Sequence, residues 1–174
     1  MNFRHPTAED GAAIWRIVRD SGVLDLNSSY CYLMMGHYFG DTCIVAEDPH
    51  TDPAANGDRL AGFIVGFRPP QDPATLFVWQ VAVDPGHRGK GVGSRMLQAL
   101  LAAQPAEEIH YIEATISPSN TASQALFRKA AATLKTDCSV SDLFLADMFP
   151  GSGEHEPEHR YRIGPFTLSN SANQ

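Results

Sequence analysis

The chain has 174 residues, 43% of them hydrophobic and 19% charged, a profile that suits a globular protein with a real core in one domain. A formal net charge of −7 argues against a nucleic-acid partner, because gripping a phosphate backbone needs an excess of Lys and Arg. No apolar run approaches the roughly 20 residues that cross a bilayer, and MNFRHPTAEDGAAIW has no basic segment followed by an apolar one, so no membrane association and a cytoplasmic location are expected.

Phe3 and Arg4 read as a short first strand. Thr7 and Asp10 resemble a capping box, and Ile14, Ile17 and Val18 give a helical apolar face that Ser21-Gly22 ends. A second helix is expected over about Asn27–Tyr38, capped by Asn27 or Ser28. Cys43–Glu47 and Leu60–Phe67 are strand-length apolar runs joined by the loop Asp48–Asp58, and Pro69-Pro70 stops the second of them. Leu76–Val83 is the strongest strand and stops at Asp84-Pro85-Gly86; Val92, Met96, Leu97, Leu100 and Leu101 then recur at helical spacing. His110–Ile116 is a strand, Ser117-Pro118-Ser119 a turn and Asn120–Ala131 a helix, while Leu143–Met148 and His159–Ile163 read as closing strands. Strand–helix–strand in the middle implies a parallel crossover, and the flanks read as antiparallel. The expected fold is a mixed α/β domain with helices on both faces of one sheet. Cys31, Cys43 and Cys138 are odd in number and far apart, so reduced thiols are expected rather than disulfides or a metal site.

The chemistry concentrates in Val81-Ala82-Val83-Asp84-Pro85-Gly86-His87-Arg88-Gly89-Lys90-Gly91-Val92-Gly93-Ser94. A buried strand ends, a glycine-crowded turn follows and a helix begins, so backbone N–H groups without carbonyl partners converge where the helix dipole favours an anion. Gly89, Gly91 and Gly93 permit unusual dihedrals and omit Cβ atoms that would block a bulky anion. Arg88 and Lys90 add positive charge. The expected ligand is a phosphate or pyrophosphate. A nucleoside-triphosphate loop would need Ser or Thr directly after Lys90, where Gly91 stands, and the dinucleotide pattern breaks at Arg88 and Ser94.

Arg88-x-x-Gly91-x-Gly93, directly after Val81-x-Val83, resembles the acyl-CoA-binding signature of the GNAT superfamily of N-acetyltransferases. That resemblance implies a mixed, mostly antiparallel sheet (the α/β GNAT fold) whose fourth and fifth strands are parallel but splay apart. It implies acetyl-CoA as cosubstrate, the pantetheine arm pairing with the backbone of Val81 and Val83, and the pyrophosphate on the N–H groups of Arg88, Gly89, Lys90, Gly91, Val92, Gly93 and Ser94. Asn120-x-x-Ser123-x-x-Leu126-Phe127 resembles the family's helix along the far side of the coenzyme, where Asn120 carries an amide for the pantetheine or caps the helix. Phe127 stands where the family often has a Tyr that protonates the departing thiolate, so another group does this or the thiolate leaves toward solvent. The resemblance also implies one N-acetyltransferase domain over 1–165 with a tail at 166–174, in a family where homodimers are common.

Further stretches are similar to one subfamily, the L-2,4-diaminobutyrate acetyltransferases of ectoine formation. These are Gly22-Val23-Leu24-Asp25-Leu26-Asn27-Ser28-Ser29-Tyr30-Cys31-Tyr32, Phe77–Val83, Ile116–Asn120, and Asp147–Pro150 leading into His155-Glu156-x-Glu158. The resemblance implies acetyl transfer from acetyl-CoA to the γ-amine of L-2,4-diaminobutyrate. Two amines and a carboxylate on that substrate call for carboxylates, which Asp25, Glu156 and Glu158 can supply, and for donors, which Asn27, Ser28, Tyr30, Tyr32 and His155 can supply. Trp79 either walls the acceptor pocket and meets an ammonium with its ring face, or is a packing residue. The His155–Glu158 run otherwise reads as solvated charge, and its Pro-containing loop lacks the geometry of a metal site. An amine with a reference pKa of about 10.4 must lose a proton before it attacks. Glu158 is the expected base with His155 as partner or alternative relay, Asp25 the anchor for the α-amine, and a backbone N–H near Val81 the oxyanion donor. No local pattern supports Cys31 as a nucleophile. The competing readings are another diamine or amino acid as acceptor, and a non-catalytic acyl-CoA sensor; the missing Tyr at 127 favours the sensor, and the carboxylates and Trp79 oppose it.

Overall fold

The computed structural model describes residues 1–50, 59–105, 107–151 and 155–168. Among them the chain forms β1 (Asn2–Arg4), α1 (Gly11–Ser21), α2 (Ser29–Tyr38), β2 (Ile44–Glu47), β3 (Leu60–Phe67), β4 (Thr75–Val83), α3 (Val92–Ala102), β5 (Tyr111–Ile116), α4 (Thr121–Leu134), β6 (Cys138–Phe144) and β7 (Glu158–Ile163). The strand order is β1-β2-β3-β4-β5-β7-β6. Neighbours β1/β2, β2/β3, β5/β7 and β7/β6 are antiparallel. β4 pairs in parallel with β5 through Thr75 with Tyr111, Leu76 with Ile112 and Phe77 with Glu113. The mixed, mostly antiparallel sheet expected from the sequence is present. No helix of the described residues is long and apolar enough to cross a membrane. The chain divides into two compact units, Met1–Phe67 with Trp79–Pro105, and Arg68–Val78 with Ala106–Gln174.

In the first unit the Asp10 carboxylate accepts the Thr7 N–H at 2.8 Å and is gripped by Arg4, also at 2.8 Å; Arg4 in turn bonds Glu47 on β2. The start of α1 is thereby tied to β1 and β2. Gly22, with φ of 65°, ends α1. Ile14 and Val18 of α1 and Tyr32 and Met35 of α2 pack with Cys43, Val45, Phe63, Val65 and Ala82 of the sheet side. Because strand side chains alternate, Gly62 faces the other way, with the Met96 methyl of α3 just beyond it. Helices therefore cover both faces of these strands. α2 begins at Ser29 rather than Asn27: Ser28 holds the cap position without a side-chain cap bond, and the Asn27 amide turns back to the Asp25 carbonyl at 3.4 Å.

In the second unit Ile112, Ala114 and Ile116 of β5, Tyr161 and Ile163 of β7, and Phe127 and Ala131 of α4 are buried. Arg162 of β7 bonds Glu113 at 2.8 Å and Asp72 at 3.0 Å and lies 4.0 Å from the centre of the Tyr111 ring. Burial opposes its charge, but the two carboxylates outweigh that and raise its pKa. The strand expected at Leu143–Met148 lies instead at Cys138–Phe144, and Ala146–Met148 is a short helical turn. β6 is the edge strand and mostly solvent-facing, so Ser139, Ser141 and Asp142 can occupy it and no apolar alternation marks it. Phe166, first residue of the expected tail, is buried and donates its N–H to His110 O at 3.0 Å. Residues 169–174 of that tail and 51–58 of the Asp48–Asp58 loop lie outside the described residues.

Candidate active site

After β4, Asp84 accepts the Gly86 N–H at 2.9 Å and closes the helical turn Pro85–His87. Gly89 and Gly91 take left-handed φ values of 74° and 72°, and nothing lies within 4 Å of the point where a Cβ would stand on either. Gly91 is the N-cap of α3. Gly93 differs from expectation: the helix has already begun at Val92, so Gly93 has ordinary helical backbone. The first intrahelical bond runs from the Arg95 N–H to Gly91 O at 3.1 Å, so the N–H groups of Val92, Gly93 and Ser94 precede it and project with the positive end of the dipole.

Two cations lie exposed along this turn. Arg88 Nε donates to Val83 O at 3.1 Å and Lys90 Nζ to Gly86 O at 2.8 Å. His87 underpins it, with Nδ1 3.2 Å from Asp84 Oδ1 and Nε2 3.0 Å from Asp48 Oδ2. Ionised carboxylates only accept, so both ring nitrogens carry protons when both bonds are made. The His87 bond, helped by the His50 N–H, holds the Asp48 carboxyl below the usual carboxylate range. Left-handed glycines, outward N–H groups and flanking cations together suit a phosphate.

The first unit also carries Asp25, Asn27, Ser28, Tyr30 and Trp79, the residues expected from the sequence to meet the acceptor. Trp79 is half-buried and packs against the α1–α2 core, and Val81 and Val83 follow it on β4, half-buried as well. Gln80 joins three elements: its Oε1 accepts from the Tyr32 hydroxyl at 3.0 Å, and its Nε2 donates to Asp25 O at 2.9 Å. Tyr32 is fully buried. Its hydroxyl therefore leaves the set of donors for a substrate carboxylate. Asp25, Ser28 and Tyr30 are exposed.

In the second unit the His155 ring stacks on Phe149, with centroids 3.8 Å apart and planes at 12°, and its Nδ1 lies 2.6 Å from Glu156 O. A carbonyl only accepts, so Nδ1 holds the proton in this contact. The Glu156 carboxylate accepts from the Ser119 hydroxyl and from the Ser119 N–H at 3.4 Å, tying this loop to the β5–α4 turn. Glu158 is half-buried at the start of β7, opposite Phe144 of β6. Asn120 caps α4, its Oδ1 accepting the Ser123 N–H at 3.0 Å. Phe127 is 1% exposed, a core residue with no proton to give.

Cys31, Cys43 and Cys138 are free thiols. Burial pushes each of them up, Cys43 to about 11, so none is poised as a nucleophilic thiolate. Among the described residues, no three His, Cys, Asp or Glu side chains gather to hold a metal ion. Sequence reasoning assigns no role to Gln80, Ser119 or Phe149. One signal does mark Gln80: along Leu76, Val78, Gln80 and Ala82, the buried face of β4 beyond Thr75, it is the polar residue among apolar ones.

The acetyltransferase (GNAT) family profile matches residues 15–131. An L-2,4-diaminobutyric acid acetyltransferase from Marinococcus halophilus is 51% identical over 165 residues, which cover 95% of this chain and 90% of that one. One from Shouchella clausii is 49% identical over 166 residues, covering 95% and 88%. The diaminobutyrate acetyltransferase EctA from Paenibacillus lautus, solved in complex with L-2,4-diaminobutyric acid and coenzyme A, matches with a TM-score of 0.87 at 42% identity, covering 97% of this chain and 96% of that one.

Proposed function

The chain belongs to the acetyltransferase (GNAT) family, and from that premise we propose that it moves the acetyl group of acetyl-CoA onto the γ-amine of L-2,4-diaminobutyrate. The products are CoA and N4-acetyl-L-2,4-diaminobutyrate, a step of ectoine formation carried out in the cytoplasm. The observation that carries this reading is the turn after β4, where left-handed Gly89 and Gly91 stand before the N-terminus of α3. The acceptor follows from relatives that share about half of their residues with this chain over 95% of its length. Residues 1–165 act as one N-acetyltransferase domain.

The pyrophosphate rests on the N–H groups of Gly89 to Ser94, not on that of Arg88, which donates to Pro85 O at 3.4 Å; the Arg88 and Lys90 side chains lie beside it, and the pantetheine arm pairs with β4 at Val81 and Val83. Asn120 and Ser123 contribute to coenzyme binding from the first turn of α4, a helix backed by buried Phe127. Asp25 holds the α-ammonium of the acceptor, with Asn27, Ser28, Tyr30 and Trp79 as its neighbours in function. Glu158 takes a proton from the γ-ammonium, directly or through His155. The neutral amine attacks the thioester carbonyl, the oxyanion meets a backbone N–H near Val81, and the C–S bond breaks. The proton lost by the amine ends on the thiolate through water, since Phe127 cannot supply one. No acyl-enzyme is needed.

β6 and the turn after it expose Val140, Phe144, Leu145 and Met148, and a homodimer through this face belongs to the same proposal. Light scattering should then return twice the chain mass of 19.0 kDa. The reaction is tested by thiol release from acetyl-CoA with diaminobutyrate beside ornithine, lysine and spermidine, the acetylated nitrogen being located by NMR. Release that is fastest with diaminobutyrate and acetylation at its γ-nitrogen are expected. Preference for another amine would reassign the acceptor, and no release with any of them would make the chain a sensor of acyl-CoA.

A further inference from the structure

We propose that His87 is a positioning residue that braces the glycine turn only while protonated and so ties acetyl-CoA affinity to its own proton, an inference that rests on placing the coenzyme's pyrophosphate at that turn. The His87 ring bridges two carboxylates, with Nδ1 3.2 Å from Asp84 Oδ1 and Nε2 3.0 Å from Asp48 Oδ2. Its side chain is 15% exposed, so water screens these contacts only in part. Asp84 opens the turn and also takes the Gly86 N–H on Oδ1. Asp48 follows β2 and is anchored at the entry to β3, its N–H donating to Arg59 O at 2.9 Å. The Arg88 and Lys90 side chains bond Val83 O and Gly86 O, in the turn and the strand it leaves. His87 instead reaches the end of β2, 39 residues earlier in the chain.

Protonation decides whether both bonds exist. A carboxylate only accepts, so a neutral imidazole, with one N–H, can serve Asp84 or Asp48 but not both. A phenyl ring would fill the same space, so packing does not account for a ring whose two nitrogens both meet carboxylates. Left-handed Gly89 and Gly91 follow within four residues, and glycine backbone is the least restricted of all, so their aim depends on a fixed start to the turn. The other charged groups nearby are His50, whose N–H bonds Asp48 Oδ1 at 3.0 Å, the exposed Arg88 and Lys90, and Arg59, which meets Asp48 through its carbonyl. Leu60 and Ala61 of β3 bring no titratable group. On the acid side the brace holds until pH falls through the depressed Asp48 value. On the alkaline side it opens when His87 gives up its second proton.

Asp48→Asn separates proton-linked bracing from packing. An amide accepts from the charged ring and donates to the neutral one, so this variant keeps the bridge in both states. The pH at which His87 loses its proton is read from its ring signals by NMR. Across that pH, the acetyl-CoA affinity of the wild type, measured by calorimetry, should fall about tenfold relative to Asp48→Asn, the effect of losing one charge-assisted hydrogen bond. Titration of the coenzyme's own phosphate is common to both proteins and cancels in the ratio. His87→Phe keeps a ring and loses both bonds; below that pH it should bind acetyl-CoA about tenfold more weakly than the wild type, with the KM for the acceptor the same. A readout without ligand is the backbone amide signals of Gly89 and Gly91, which should move with the His87 titration in the wild type and much less in Asp48→Asn. An affinity ratio constant through the titration, tight binding by His87→Phe below it, or equal movement of the glycine signals in both proteins would each overturn the proposal. If the wild-type chain bound no acetyl-CoA at any pH, the coenzyme assignment would fail by itself, and the glycine signals alone would decide the brace.

Discussion

Residues 84–94 hold their shape with the backbone: Asp84 caps a turn, Gly89 and Gly91 go left-handed, and α3 starts with its N–H groups outward. Residues 149–151 and 155–158 hold theirs with side chains: Phe149 stacks on His155, Glu156 reaches Ser119, and Glu158 enters β7. The two regions serve one proposed reaction and should fail in opposite ways. A site made of backbone is damaged by adding atoms, whereas a site made of side chains is damaged by removing them.

The largest effect should come from Gly91→Val. A branched side chain at φ of 72° strains the N-cap of α3 and projects into the space left open for the phosphate. Acetyl-CoA affinity measured by calorimetry should fall by more than about a hundredfold; affinity within a fewfold of wild type would break the comparison. Glu158→Gln comes next. Its kcat should drop about 10²–10⁴-fold, the range of a lost general base, with acetyl-CoA affinity retained. Equal loss of both would make Glu158 structural.

Glu156→Gln sharpens the comparison further. This carboxylate orders the loop through Ser119, so the variant and Ser119→Ala should each lower kcat by about tenfold, and the double variant should be no worse than either. Additive losses would return Glu156 to direct contact with substrate. The smallest effect concerns acid. The folded-state pKa of Asp48 is depressed by His87, so its contribution is present above the ordinary carboxylate value of about 3.9 and is lost as pH falls through the lower folded value. Asp48→Asn should lower Tm slightly at neutral pH, and the gap to wild type should close below about pH 4 in thermal scans. A gap that persisted there would remove the His87–Asp48 bond from the turn's support.

The same contrast explains what could be read in advance. The glycine turn was legible because its main determinants are local: apart from Val83, whose carbonyl takes Arg88, and Asp48, which braces His87 from a distance, the residues that shape it lie between Asp84 and Arg95. The apolar spacing of Val92, Met96, Leu97, Leu100 and Leu101 likewise marked α3, and all five are buried. β6 escaped detection because an edge strand with Ser139, Ser141 and Asp142 facing solvent need not alternate. The ties around the residues proposed to bind the acceptor and to act as base escaped for another reason. Tyr32 and Gln80 are 48 residues apart, Gln80 and Asp25 are 55 apart, and Ser119 and Glu156 are 37 apart. No spacing rule links such partners, and the fold alone brings them together. Gly93 shows the limit even of a local motif, since a third glycine in the pattern lies in plain helix.

The central claim is that backbone amides at the start of α3 grip the diphosphate of acetyl-CoA. It is tested most directly by ¹H–¹⁵N NMR of the wild-type chain titrated with acetyl-CoA. The amides of Gly89 to Ser94 should shift together and saturate with one ligand per chain, and inorganic pyrophosphate should move the same set more weakly. Saturable binding of acetyl-CoA that left those amides unmoved would contradict the account.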